Sequence, residues 1–174
     1  AAALRGEGGL PERPALIVFD DGYEDVYQNA FPILTELGYP ATMNVITKSI
    51  DGPSYLSADE LRAPSEAGWE IGSHSQTHAN LVRSGDPIGE VCLSTRGLEK
   101  ILGQKVFTFA YPYGAANPYV IQIVKDCGYT SGGGVGPFTS HTLKSIYFLS
   151  RVTVDGSWTL DQFYAALIGQ LSEQ

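Results

Sequence analysis

Two adjacent carboxylates, a pair of histidines four positions apart and a Tyr-Pro-Tyr-Gly segment are the residues of this 174-residue chain whose types and spacing could do chemistry. They form three clusters, Asp20-Asp21-Gly22, His74-Ser75-Gln76-Thr77-His78 and Tyr111-Pro112-Tyr113-Gly114, each beginning where a short apolar stretch has just ended. One carboxylate and two imidazoles make a natural zinc site with positions left open for water and substrate. Neighbouring residues point in different directions, so one aspartate can bind the metal while the other takes a proton from activated water. Alone, the paired acids would better suit a turn, and a single histidine a solvent-facing or hydrogen-bonded position. The convergence of all three clusters points to a metal site, and the chain has only one further histidine, His141.

The elements that must position these clusters are short apolar strands alternating with helical stretches, the pattern of parallel βαβ units. Strands are expected at Ala15–Phe19, Ala41–Ile46, Trp69–Ser73 and Val106–Ala110, with a weak fifth beginning at Tyr129 and a sixth at Ile146–Val154. Five helices alternate with them. The first spans about Asp25 to Leu37, strained at Pro32 and closed by Gly38; the second starts on a Ser57/Glu60 capping box and ends near Gly68. The third runs from Asp86 to Leu102 with Gly103 as its cap, the fourth from Asn117-Pro118 to Cys127, and the last starts at Thr159 with Gln162. The glycine-rich run Ser131–Gly136 reads as a loop. In a parallel α/β barrel all strand C-termini share one face, which is where three clusters so far apart in sequence would meet.

Composition narrows the partners. A net charge of −8, from 11 Lys and Arg against 19 Asp and Glu, leaves no basic stripe for a nucleic-acid backbone. No apolar run is long enough to span a bilayer. Residues 1–174 are read as one domain, a comfortable length for a single core. Cys92 and Cys127 both fall in helical stretches without close Cys or His neighbours, and are read as buried thiols in preference to a disulfide.

Taken together, Phe19-Asp20-Asp21-Gly22, Gly72-Ser73-His74-Ser75-Gln76-Thr77-His78 and Phe109-Ala110-Tyr111-Pro112-Tyr113-Gly114 resemble the first three motifs of the polysaccharide deacetylase, or NodB-homology, family. The stretch Asp25 to Leu34 is similar to the branch that contains biofilm poly-N-acetylglucosamine deacetylases. The resemblance implies a distorted (β/α) barrel and removal of N-acetyl groups from an amino-sugar polymer, whether poly-N-acetylglucosamine, a chitin-like chain or peptidoglycan glycan. It also implies a divalent metal, zinc first and cobalt, nickel or manganese as substitutes, and an extracellular or cell-envelope location. Carried over by position, Asp21, His74 and His78 are ligands, Asp20 is the base, and the Tyr113 backbone N–H serves the oxyanion. Tyr23, Tyr111 and Pro112 are the expected sugar contacts, with Tyr55 and Trp158 as further aromatic candidates.

The chain departs from the family pattern in three places. Ala110 stands where relatives often carry the arginine that partners the base, and Arg151 is the candidate replacement. The Asp-Trp element has no counterpart around Tyr129 to Gly136, and the Leu-x-His element that supplies the acid is missing after Ile146. His141 is one substitute. Another is a histidine on an N-terminal βα unit that this chain lacks, which would leave the barrel incomplete at that end. Two other functions compete with the deacetylase: a carbohydrate-binding domain that keeps the metal but not catalysis, and a hydrolase of a non-sugar amide or imide.

Overall fold

The alternation of apolar runs and capped helices produces five parallel strands whose spatial order is their chain order. In the computed structural model, which describes residues 1–12, 14–136 and 140–171, they are β1 (Val18–Phe19), β2 (Thr42–Val45), β3 (Glu70–Ser73), β4 (Thr108–Ala110) and β5 (Ser131–Gly133). Each link between consecutive strands carries one helix: α1 (Phe31–Glu36), α2 (Ala58–Glu66), α3 (Pro87–Leu102) and α4 (Pro118–Asp126). A last helix, α5 (Leu160–Leu171), follows the sheet. An unreversed strand order curls a sheet toward closure, without the switch point of a doubly wound fold. Here β1 and β5 are the two edges, so the architecture is an incomplete, distorted (β/α) barrel.

Local chemistry starts and stops the helices where the sequence says it should. Ser57 and Glu60 form the reciprocal capping box of α2, and Asp86 and Asn117 cap α3 and α4 ahead of a proline in the first turn. At Gly103 the backbone turns left-handed, φ 69°, and ends α3. Thr159 and Gln162 exchange hydrogen bonds at the start of α5. Pro32 does not strain a long helix, because a π-type turn at Val26–Ala30 precedes it and Pro32 falls in the first turn of α1.

The core fills the space between sheet and helices. All four residues of β2 are buried, and Leu61, Val91, Leu98, Val120 and Val124 pack from α2, α3 and α4 against Met43, Val45, Phe109 and Tyr129. Cys92 and Cys127 are not free thiols: they form a disulfide, with Cα atoms 5.0 Å apart. The expectation failed because it treated two helices separately, whereas α3 and the end of α4 lie side by side.

Two expectations about the C-terminal part are also corrected. Ser131–Gly133 is not a loop but β5, paired with β4 from Thr108↔Ser131 to Ala110↔Gly133. The sixth strand at Ile146–Val154 reduces to a single parallel bridge, Gly133↔Leu149. The segment still bonds to β5 through its backbone, the Leu149 amide donating to the Gly132 carbonyl at 2.7 Å and the Leu149 carbonyl accepting from Gly134 at 2.8 Å, while the Phe148 amide turns back to the Ser145 carbonyl at 2.7 Å. Glycines explain both outcomes: a Cβ at Gly132 would come within 2.6 Å of the Tyr147 carbonyl oxygen and one at Gly133 within 3.0 Å of Arg151 Nε. The strand carries no side chains there because the returning segment 147–151 lies directly on it. Among the described residues no helix is long and apolar enough to cross a membrane.

Candidate metal centre and active site

The strand register brings the three clusters together. β1 pairs with β2 through Phe19↔Met43, β2 with β3 through Val45↔Ser73, and β3 with β4 through Ser73↔Phe109, so their C-terminal ends form one rim. Past Phe19 the chain bends sharply through Asp21 and Gly22, with φ of 73° and 80°. A Cβ on Gly22 would come within 2.9 Å of Val45 Cγ1, so the bend needs a glycine for space as well as for conformation.

Ligand atoms of Asp21, His74 and His78 lie within 4.8 Å of one another, the only such group of three among the described residues. Asp21 Oδ1 is 3.5 Å from Nε2 of both histidines, is buried, and accepts no hydrogen bond. A buried carboxylate oxygen without a donor is costly, and its position between two imidazole nitrogens is what a cation would offset. The Ala110 carbonyl can only accept, so the 2.8 Å contact with His74 Nδ1 puts the hydrogen on Nδ1 and leaves the Nε2 lone pair facing Asp21. Burial, only partly opposed by the Asp20 charge, pushes the His74 pKa below its ordinary value and favours the neutral, ligating form. His78 Nδ1 lies 3.2 Å from the Tyr113 hydroxyl, which can accept its hydrogen and free Nε2 in the same way. The residues present therefore fit a divalent metal.

Backbone strain is concentrated here. Asp21, Ser75, His78 and Tyr113 all adopt left-handed φ between 60° and 73° without being glycine. Such conformations persist only where the surroundings over-determine them.

Asp20 faces a different environment. Arg151 Nη1 donates to Asp20 Oδ1 and Nη2 to Oδ2, both at 2.8 Å, and Asn44 Nδ2 adds a third bond to Oδ1 at 2.8 Å. The segment lying on the glycines of β5 thus delivers Arg151 to the opposite side of the rim, where Arg151 Nε also donates to the Gly134 carbonyl at 3.1 Å. Burial alone would raise the Asp20 pKa, but the hydrogen bonds and charge of Arg151, helped by His74 and Asn44, hold it below the usual carboxylate value.

Asn44 is a residue that sequence reading missed. Its signal was an amide inside an otherwise apolar strand, and the register sets it level with Asp20. A Cβ at its neighbour Gly72 would collide with Asn44 Oδ1 and Thr108 Oγ1, so that glycine leaves room for the Asn44 side chain.

Tyr113 sits at the tip of a turn over Pro112–Gly114. The amides of Gly114 and Ala115 bond back to the Tyr111 and Pro112 carbonyls, whereas the Tyr113 N–H meets no such acceptor among the described residues. Its ring is 68% exposed and lies against His78, with centroids 4.5 Å apart. Tyr111 and Pro112 do not fit their expected role in sugar contact, since both are buried. The Tyr111 hydroxyl donates to the Tyr147 carbonyl at 2.7 Å and its ring packs on Phe109 and Phe148, because an aromatic residue at the end of a buried strand points into the core. Tyr23 is 42% exposed and stacks on Tyr55 with centroids 4.9 Å apart. His141 lies outside the metal-binding group.

Similarity to known proteins agrees with the fold and with the family that the motifs resemble. The polysaccharide deacetylase family model matches residues 7–132. A Bacillus subtilis protein assigned to the polysaccharide deacetylases, YxkH, is 30% identical over 145 residues, covering 82% of this chain and 52% of its own length. The poly-β-1,6-N-acetyl-D-glucosamine N-deacetylase of Staphylococcus aureus MRSA252 is 27% identical over 164 residues, 85% of this chain and 57% of that protein. The chain thus spans about half the length of these curated relatives. In fold it is similar to the Streptococcus pyogenes deacetylase PplD, solved in complex with acetate, with a TM-score of 0.86 at 23% identity over 95% of this chain and 75% of that one. With a matched motif set, a shared barrel and a family model covering most of its length, the chain belongs to the polysaccharide deacetylase family.

Proposed function

We propose that this chain is a metal-dependent N-deacetylase of an amino-sugar polymer, with Asp21, His74 and His78 as the metal ligands and Asp20 as the base. The observation that carries the proposal is Asp21 Oδ1, buried without a donor and 3.5 Å from both imidazole Nε2 atoms, beside a second carboxylate tied to an arginine. A divalent ion there, zinc by ligand type or cobalt, nickel or manganese in its place, would polarise an acetyl carbonyl and lower the pKa of water.

The chain's own residues account for the remaining steps. Asp20 stays ionised to low pH, and Asn44 and Arg151 Nη1 already occupy Oδ1, so the proton of the attacking water is taken up at Oδ2. Arg151 fixes the plane of that carboxylate through two parallel bonds. The Tyr113 N–H donates to the acetyl oxygen as charge develops on it. An expelled amine needs a proton, and Asp20 has just gained one; a low pKa makes its protonated form a strong acid for that transfer. The exposed Tyr23 on Tyr55 offers an aromatic face for a pyranose ring.

Among polymers, β-1,6-linked N-acetylglucosamine is favoured by the name of the Staphylococcus relative. Such substrates lie outside the cytoplasm, and the Cys92–Cys127 disulfide suits an oxidising compartment, so an extracellular or cell-envelope location is proposed with it. The test is acetate release from β-1,6-linked, β-1,4-linked and peptidoglycan oligomers, with and without chelator. Chelator-sensitive release that zinc restores, strongest on the β-1,6 series, supports the proposal. Zinc uptake without acetate release would make the chain a binding module instead.

A further inference from the structure

We propose that Glu90 is a positioning residue of the metal centre, whose carboxylate holds the loop presenting His78; the proposal rests on the reading of Asp21, His74 and His78 as ligands. Glu90 stands in the first turn of α3 and touches none of those three side chains by hydrogen bond or ion pair. Its carboxylate takes three donors from the two residues just before His78. Oε2 accepts the Gln76 amide at 3.0 Å and the Thr77 amide at 2.9 Å, and Oε1 accepts the Thr77 hydroxyl at 2.7 Å. The same turn of helix adds two carbonyls, with Glu90 O taking the Gln76 amide at 3.2 Å and Gly89 O the Gln76 side-chain amide at 2.9 Å.

The opposite side of the loop is also tied down. Thr47 and Lys48 donate their amides to the Ser75 and Gln76 carbonyls at 3.1 and 3.0 Å, and inside the loop the His78 amide donates to Ser75 Oγ at 3.0 Å. The segment therefore hangs between the start of α3 and the end of β2. It needs this support because Ser75 and His78, with φ of 65° and 60°, sit in a conformation that an unsupported chain rarely keeps. A carboxylate suits the task, since it has acceptors at both ends and charge-assisted bonds to backbone N–H are the stronger kind. With the Glu90 carboxylate gone, Thr77 loses both of its partners on the α3 side and Gln76 keeps only the carbonyls of residues 89 and 90, so His78 Nε2 is held less firmly at 3.5 Å from Asp21 Oδ1.

A merely structural Glu90, complementing the positive end of α3, would change stability and leave metal affinity alone. Zinc dissociation constants of the full chain, read by competition with a chromophoric chelator, separate the two roles. The variants are Glu90→Ala and Glu90→Gln, and circular dichroism of the metal-free proteins reports folding. Glu90→Ala is expected to weaken zinc about 10- to 100-fold, the usual effect of losing support behind a metal ligand. Glu90→Gln is expected to recover most of this, to within roughly fivefold of wild type, because its oxygen can take the two amides while its NH2 donates to Thr77 Oγ1. The visible spectrum of the cobalt-loaded protein should broaden in Glu90→Ala and return toward wild type in Glu90→Gln. Zinc affinity of folded Glu90→Ala within twofold of wild type overturns the proposal, as does a Glu90→Gln variant no better than Glu90→Ala. If Glu90→Ala does not fold, Glu90→Gln decides alone: zinc bound more than twofold more weakly than by wild type supports the proposal, and affinity within twofold overturns it. A wild type that takes up no zinc sinks the ligand assignment beneath the proposal, and the wild-type titration reveals that separately.

Discussion

The two sides of the active site begin at neighbouring residues of one strand end and finish in opposite electrostatic states. Around Asp20 three donors are engaged, two from Arg151 and one from Asn44. Around Asp21 the buried oxygen has no donor, and the imidazole nitrogens 3.5 Å away present lone pairs. A carboxylate with three of its four acceptor sites filled is a fixed, ionised group with one place left for a proton, and one whose buried oxygen has no donor, set between two imidazoles, has room for a cation. The lesson is that identical residues one position apart are given different work by what the rest of the fold points at them.

The strongest way to break this comparison is Asp20→Asn. It removes the proton acceptor and leaves the cation side untouched, so acetate release should fall about 10²- to 10⁴-fold while zinc affinity stays within a fewfold of wild type. If zinc affinity collapses as well, the division of labour is wrong. Arg151→Met comes next, with an expected loss of roughly 10- to 100-fold, the worth of hydrogen bonds to a charged group. Its pH profile sharpens the claim. Asp20 must be ionised to act, so activity is present above its lowered pKa and is lost as pH falls through it; without Arg151, burial dominates and the acidic limb of kcat/KM should move to higher pH.

Asn44→Ala removes one of the three bonds and should reduce kcat by no more than about tenfold, with a smaller move of the same limb. The smallest expected effect on the site is that of the double change Cys92→Ser/Cys127→Ser. The bridge ties α3 to the end of α4 across 35 residues and supplies no metal ligand, so its loss should lower unfolding free energy by about 3 to 4 kcal/mol in a denaturant titration and leave zinc affinity unchanged.

How much of this the sequence discloses depends on whether a feature is periodic or relational. Strand ends carrying Asp20-Asp21, His74 and Tyr113 were legible, because apolar runs stop where polar clusters begin and parallel strands end on one face. The caps at Ser57, Asp86 and Asn117 were legible because capping is local chemistry. Arg151 could be named as a candidate partner for Asp20, yet its delivery by a bridge instead of a strand could not. What hid the segment 147–151 was the glycine run beneath it: Gly132 and Gly133 look like loop residues and are strand residues stripped of side chains to admit a neighbour. Asn44 and Glu90 were missed for a related reason. Each acts on a residue 13 to 24 positions away through a side chain whose own stretch reads as ordinary strand or helix. The Cys92–Cys127 bridge and the burial of Tyr111 likewise depend on which elements become neighbours, and periodicity does not report that.

A crystal of the full chain grown with zinc, with anomalous data collected at the zinc edge, tests the central claim most directly. The account predicts one strong peak bonded at about 2.0 to 2.2 Å to Asp21 Oδ1, His74 Nε2 and His78 Nε2, with Asp20 still paired to Arg151. A protein that stays empty at that position under saturating zinc, or holds the ion through Asp20 instead, would contradict it.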